Sequence, residues 1–338
     1  MSMDVVICSE PGRLVLERRP VPEPGPNEVL LRVRRVGVCG TDMHIFRGTQ
    51  PYLSYPRVMG HELAGEVVKA PSGSELVPGD PVYVMPYLSC GVCAACRKGK
   101  SNCCMAIQVL GVHRDGAMAE YLCVPAPFVR KAEGISLDAA AMIEFLAIGA
   151  HAVRRAAVRP DQSVLVVGAG PIGIAAALFA GLEGGIVTVM DSRRDRLEVA
   201  RDRLKVAHVV VAGDGAAAEL SGLTGGDFYD VVFDATGNPG AMEAGFAHVA
   251  HGGVYVLISI VNADIRFNDP EFHRREMTLM GSRNATLEDF ETVVAAMRRG
   301  DVPIGALNTH AAALSDLPDV LESWMDPAAG VIKAIVTC

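Results

Sequence analysis

The chain lacks an excess of positive charge. Lysine and arginine total 31 against 39 aspartates and glutamates, a formal net charge of −8, and no sustained basic run breaks that balance. A surface of this sign does not attract a polyanionic backbone, so nucleic acid is not an expected partner. Long apolar runs are missing too. Even residues 172–182, which follow a glycine-rich turn, fall well short of the ~20 needed to span a bilayer. The start, Met1-Ser2-Met3-Asp4, has neither the basic segment nor the apolar core of a secretion signal. No internal repeat or low-complexity stretch is present. These absences make a cytoplasmic globular protein, away from membranes and nucleic acid, the expectation.

Cysteine, by contrast, is plentiful and clustered. Five of the nine lie within fifteen residues, and four of these, Cys90, Cys93, Cys96 and Cys104, are spaced C-x2-C-x2-C-x7-C. Four thiolates so close together predict one tetrahedral zinc in a closed structural shell. Disulfides are the competing reading, but nothing else marks an oxidising compartment. The other five, Cys8, Cys39, Cys103, Cys123 and Cys338, make the total odd, which suits a reducing location. A closed shell offers no position to a substrate, so the loop is scaffold.

With 338 residues, two domains are expected, each with its own core. Residues 1–147 read as short β segments broken by proline and glycine, such as 29–33, 65–68 and 82–84, the last after Pro78-Gly79-Asp80-Pro81. Beyond residue 148 apolar strands, 164–167, 186–190, 208–211, 231–234, 254–258 and 278–280, alternate with helical stretches such as 171–182, 193–204 and 241–249. That alternation predicts a doubly wound parallel sheet covered on both faces, and six strands is the count of the two-halved dinucleotide fold. From residue 285 two amphipathic helices, 287–299 and 317–324, lead to a closing strand, 331–336. This tail is expected to return to the first domain. The expected domains are therefore 1–147 with 285–338, and an inserted 148–284.

Val164-Leu165-Val166-Val167 runs into Gly168-Ala169-Gly170-Pro171-Ile172-Gly173, a G-x-G-x-x-G at a strand-to-helix turn. Gly168 permits the turn, Gly170 lets backbone approach a pyrophosphate, and Gly173 lets helix and strand pack closely. The helix that Pro171 and Ile172 open supplies partial positive charge. Asp191 ends the next strand at the spacing of the carboxylate that accepts ribose hydroxyls. A carboxylate there favours NAD over NADP, although Arg193 and Arg194 could face a 2′-phosphate and Asp191 could simply cap a helix.

Three further segments join these: Cys39-Gly40-Thr41-Asp42-Met43-His44, Gly60-His61-Glu62, and Glu144 just before the inserted domain. Together with the four-cysteine loop and the glycine turn, they make nearly the whole chain resemble the zinc-dependent medium-chain dehydrogenase/reductase family. The resemblance implies an α/β architecture: a GroES-like β-rich catalytic domain holding both zincs, plus a Rossmann domain for NAD. It makes Cys39, His61 and Glu144 the ligands of a second, catalytic zinc. It also selects Cys104 over Cys103 in the structural shell. Glutamate at the third ligand position is the habit of the sorbitol and threonine dehydrogenase branch. There Glu62 ligates directly, through water, or bonds a ligand from outside. The branch has Glu-Pro at that position, whereas this chain has Glu144-Phe145. One thiolate and one carboxylate neutralise the dication as two thiolates would.

The resemblance further implies a proton path from substrate through Thr41 and a cofactor ribose hydroxyl to His44, with the nicotinamide near Thr236, Gly237 and residues 258–260. Residues 109–116 and 280–286 are similar to bacterial sugar-acid dehydrogenases of the galactonate and gulonate type. An aldonate needs a carboxylate partner, and Arg114 and Arg283 are the candidates, since arginine binds carboxylates with two parallel hydrogen bonds. The expected reaction oxidises an aldonate (galactonate, gulonate or idonate) at a secondary hydroxyl, with polyol, threonine and aminocyclitol dehydrogenation as runners-up. A homotetramer or dimer is the assembly the resemblance implies.

Overall fold

The computed structural model describes residues 1–338. The chain folds into two compact units, Met1–Glu144 with Thr286–Cys338, and Phe145–Ala285.

The first unit is built on a seven-stranded sheet. Its axis is the eleven-residue strand Glu28–Val38, whose valines and leucines alternate into the core. Glu62–Lys69 flanks it antiparallel on one side and Lys333–Thr337 on the other, with Tyr121–Pro125 pairing along its first half. The register sets Gly37 opposite both Glu62 and Ile335. Cys39, Glu62 and Lys333 therefore leave three neighbouring strands at the same end of the sheet. A smaller sheet of Ser2–Glu10, Arg13–Pro20 and Arg57–Val58 covers the flank.

The sequence reading has no strand at Asn308–Ala313, yet this segment pairs parallel with Lys333–Thr337. Its three alanines are weak strand formers. What holds it is its position beside the closing strand, with helix Leu317–Trp324 in the connection that a parallel pair requires.

The second unit contains six strands in the order His208–Val211, Ile186–Asp191, Ser163–Val167, Tyr229–Asp234, Val249–Leu257, Thr278–Gly281. Every pairing is parallel. Chain order thus runs outward from the central Ser163–Val167 strand and reverses there, the topology that leaves a ligand crevice at the strand ends. Helix Pro171–Leu182 is buried along most of its length, as its apolar sequence requires. The expected helix over 241–249 is shorter: Pro239–Gly245 ends at a single turn, and Val249 already begins the next strand. The strand expected over 254–258 begins earlier, at Val249, and takes in Gly252-Gly253. In the structure Gly252 has φ +75 within the strand, and the register slips opposite Tyr229–Val231, a bulge. No helix is long and apolar enough to cross a membrane.

Candidate active site

Two clusters can hold metal. Sulfurs of Cys90, Cys93, Cys96 and Cys104 all lie within 4.8 Å of one another, while Cys103 is exposed outside the group. Backbone N–H groups of Cys96 and Met105 pull the Cys93 thiol down to about 6, which favours the thiolate a metal needs. Burial pushes Cys96 up to about 11. The loop hangs between the paired strands Tyr87–Leu88 and Gln108–Val109.

The second cluster joins Cys39, His61 and Glu62 within the same 4.8 Å. Cys39 caps helix Gly40–Phe46, and Asp42 from the helix's first turn reaches back to accept from Cys39 N at 2.9 Å and Gly60 N at 3.0 Å. Asp42 is fully buried and ties together the two segments that present Cys39 and His61. Its Oδ1 is 4.0 Å from His61 Nδ1. Burial disfavours a charged His61 ring, yet Cys39 and Asp42 hold its pKa well above the ordinary value.

Glu144 sits in the first turn of helix Ile143–Ala156 and is 4 % exposed. One carboxylate oxygen accepts from the Tyr87 hydroxyl. The other is buried with no partner, as is His61 Nδ1. Burial pushes Glu144 up to about 7, against the pull of His61. A dry polar atom without a partner costs about 1–3 kcal/mol, so the free Glu144 oxygen is suited to a cation, although Glu144 is not part of the 4.8 Å cluster of Cys39, His61 and Glu62. Cys39, His61 and Glu144 offer sulfur, nitrogen and oxygen donors, a set that suits zinc.

Glu62 has a different partner. Lys333 Nζ donates to both its oxygens at 2.7 Å and to Val38 O at 3.2 Å, with the two side chains 1 % and 0 % exposed. Room for this pair comes from Gly37, where a Cβ would stand 2.2 Å from Glu62 Oε2.

In the second unit, Gly168 has φ +97, and a Cβ on Gly173 would lie 1.7 Å from Gly168 O. Asp191 accepts from Ala169 N at 2.6 Å and Arg193 N at 2.8 Å, clamping the strand end to the glycine turn. Arg193 itself pairs with Asp195. Arg196 brings a guanidinium nitrogen to 3.6 Å from where a Cβ on Gly170 would stand. Thr236 donates to Asp234 through its hydroxyl and its backbone N–H, and Gly237 follows at φ +61.

Residues 25–134 match the alcohol dehydrogenase GroES-like domain, and residues 171–299 the zinc-binding dehydrogenase domain. L-galactonate-5-dehydrogenase of Escherichia coli (strain K12) is 43 % identical over 337 residues, 99 % of each chain. The chain belongs to the zinc-dependent medium-chain dehydrogenases. Sorbitol dehydrogenase of Bacillus subtilis (strain 168) is 30 % identical over 83 % of this chain and 82 % of its own. An alcohol dehydrogenase of Escherichia coli CFT073, solved with NADH, superposes with a TM-score of 0.93 at 28 % identity, covering 100 % of this chain and 99 % of that one. Fold and reaction class follow: a GroES-like unit with an inserted Rossmann unit, acting on CH–OH donors with a nicotinamide cofactor.

The remaining residues of this medium-chain dehydrogenase are placed less uniformly. Thr41 is half-buried beside Cys39. His44 is exposed, its Nδ1 2.9 Å from Thr49 Oγ1. Arg114 is partly exposed, with Glu28 at 3.9 Å. Arg283 belongs to the second unit, is exposed, and follows strand Thr278–Gly281.

Sequence reasoning assigns no role to Asp42, Tyr87, Arg196 or Lys333. For Lys333 there is a signal: one charge inside the apolar closing strand Val331-Ile332-Lys333-Ala334-Ile335-Val336. Lysine is almost never fully buried without a partner. Tyr87 carries no comparable mark.

Proposed function

We propose that this dehydrogenase oxidises a secondary hydroxyl of an open-chain sugar acid and passes the hydride to NAD. The observation that carries the reading is the buried Glu144 carboxylate oxygen left without a partner, close enough to His61 for that ring to pull on its charge. Cys39, His61 and Glu144 would hold a zinc, which would supply Lewis acidity that lowers the pKa of an alcohol. The four-cysteine loop takes a second zinc as scaffold.

The chain's own residues do the rest. Asp42 fixes the segments bearing Cys39 and His61. Lys333 occupies both oxygens of Glu62, which favours Glu62 as an outer neighbour of the site over a direct ligand. Thr41 accepts the alcohol proton at its hydroxyl oxygen and releases its own hydroxyl proton in exchange. His44 then delivers it to solvent: Thr49 Oγ1 donates to His44 O at 3.3 Å and is left to accept from Nδ1–H, so Nε2 is the basic nitrogen. Gly168, Gly170, Pro171, Ile172 and Gly173 shape the pyrophosphate turn. Thr236 and Gly237 line the nicotinamide end. Asp191 offers its remaining lone pairs to the ribose, where a carboxylate repels the extra phosphate of NADP. Arg193, engaged by Asp195, is not aimed at one.

Similarity to an L-galactonate-5-dehydrogenase at 43 % identity supports an aldonate over a neutral polyol, and Arg114 and Arg283 are the proposed carboxylate partners. Two or four copies are expected to assemble. The decisive measurement is NAD reduction across L-galactonate, gulonate and idonate set against sorbitol, xylitol, threonine and cyclitols. Turnover confined to the acids is the expected result. Oxidation of a neutral polyol with no acid turned over would sink the reading.

A further inference from the structure

The four-cysteine loop and the site around Glu144 are joined by one residue. Tyr87 stands three positions before Cys90 and pairs with Val109, so it lies at the base of the hairpin that the loop closes. A second bond, Leu110 N to Pro86 O at 3.1 Å, tightens that base. The ring is 5 % exposed and meets Phe290 edge-on, with centroids 6.2 Å apart. Phe290 is itself fully buried and stacks on Tyr83. Held on those sides, the ring leaves its hydroxyl on Glu144 Oε1, while Oε2 has no partner.

A carboxylate can give a cation one oxygen or two. With two, it fills an extra coordination position and crowds the one a substrate needs. A phenol donating to one oxygen occupies that lone pair and turns the other towards the metal. Outer partners of this kind fix how a ligand is oriented, and their loss typically weakens metal binding about 10–100-fold.

We infer that Tyr87 is a positioning residue of the catalytic metal site: it holds Glu144 as a one-oxygen ligand, and the four-cysteine hairpin holds Tyr87. This rests on the reading of Cys39, His61 and Glu144 as metal ligands. It does not depend on which alcohol is oxidised.

The test uses full-length protein loaded with zinc or cobalt, as wild type, Tyr87→Phe, Glu144→Ala and the double variant. Chelator competition reads metal affinity, and the visible cobalt spectrum reads ligand geometry. Tyr87→Phe should release its catalytic metal about tenfold or more readily, shift the cobalt bands, and keep the four-cysteine metal. In the Glu144→Ala background the same change should do nothing further. Tyr87→His, which keeps a ring N–H donor, should retain more metal than Phe.

Wild-type affinity with an unchanged spectrum in Tyr87→Phe would overturn the inference. An equal loss with and without Glu144, or a lower melting temperature with an unmoved spectrum, would do the same by showing a role in packing alone. A His variant no better than Phe would remove the donor from the explanation. If the wild type bound one metal per chain, the metal reading and this inference would fall together. If it bound two but oxidised no aldonate, only the substrate assignment would fall.

Discussion

Lys333 shows how much one residue decides at this site. Its ammonium is the buried cation bonded to Glu62. The two groups neutralise each other, so both carboxylate oxygens are already engaged although one of them lies within 4.8 Å of the Cys39 and His61 donor atoms. Burial pulls the Lys333 pKa down, but Glu62 and Cys39 outweigh it and the net shift is upward. Lys333→Met is expected to lower stability by about 3–5 kcal/mol, the penalty for leaving one partner of a buried pair uncompensated. Adding Glu62→Leu should recover much of that loss, because removing both partners strands neither. Urea denaturation of the single and double variants measures both numbers, and a Lys333→Met protein as stable as wild type would show that the pair is not needed. At this scale the sequence tells only part of the story. Cys39, His61 and Glu144 are legible because a motif names them. Tyr87 and Lys333 are not, because their partners stand 57 and 271 positions away along the chain.

Elements turn on the close approaches they must make. Helix Pro171–Leu182 packs against the central parallel strand only because Gly173 has no Cβ to meet Gly168 O, a meeting at 1.7 Å. Gly173→Ala must open this turn, which is proposed to cradle the pyrophosphate. It is expected to weaken NADH binding by about tenfold or more, at least ~1.4 kcal/mol, measured by NADH fluorescence with the metal content unchanged. Undiminished NADH affinity would mean that the turn does not cradle the cofactor. The parallel strands were readable from their continuous apolar runs, and the glycine turn from its spacing. Strand Asn308–Ala313 and the bulge at Gly252-Gly253 were not, since alanine and glycine carry little strand preference and a neighbouring strand supplies the pairing instead.

For the whole molecule, the proposed metal of the four-cysteine loop has a structural task. The four-cysteine loop closes a hairpin whose two strands are only two residues each, too short to be stable without further support. Cys96→Ser is expected to leave one metal per chain in place of two, read by elemental analysis. Its melting temperature should drop by about 2–4 °C for each kcal/mol lost. An unchanged melting temperature with one metal gone would show that the loop does not brace the first unit. The amino-acid sequence by itself determined the class of this protein: the four clustered cysteines, the three candidate ligand types, the glycine turn and the strand–helix alternation are local patterns tied to local chemistry. The tertiary structure decided how those parts are held. The sheet register brings Gly37, Glu62 and Lys333 to one end, and a hairpin aims Tyr87 at Glu144. Such contacts depend on which distant strands lie side by side, and neither spacing nor composition along the chain encodes that.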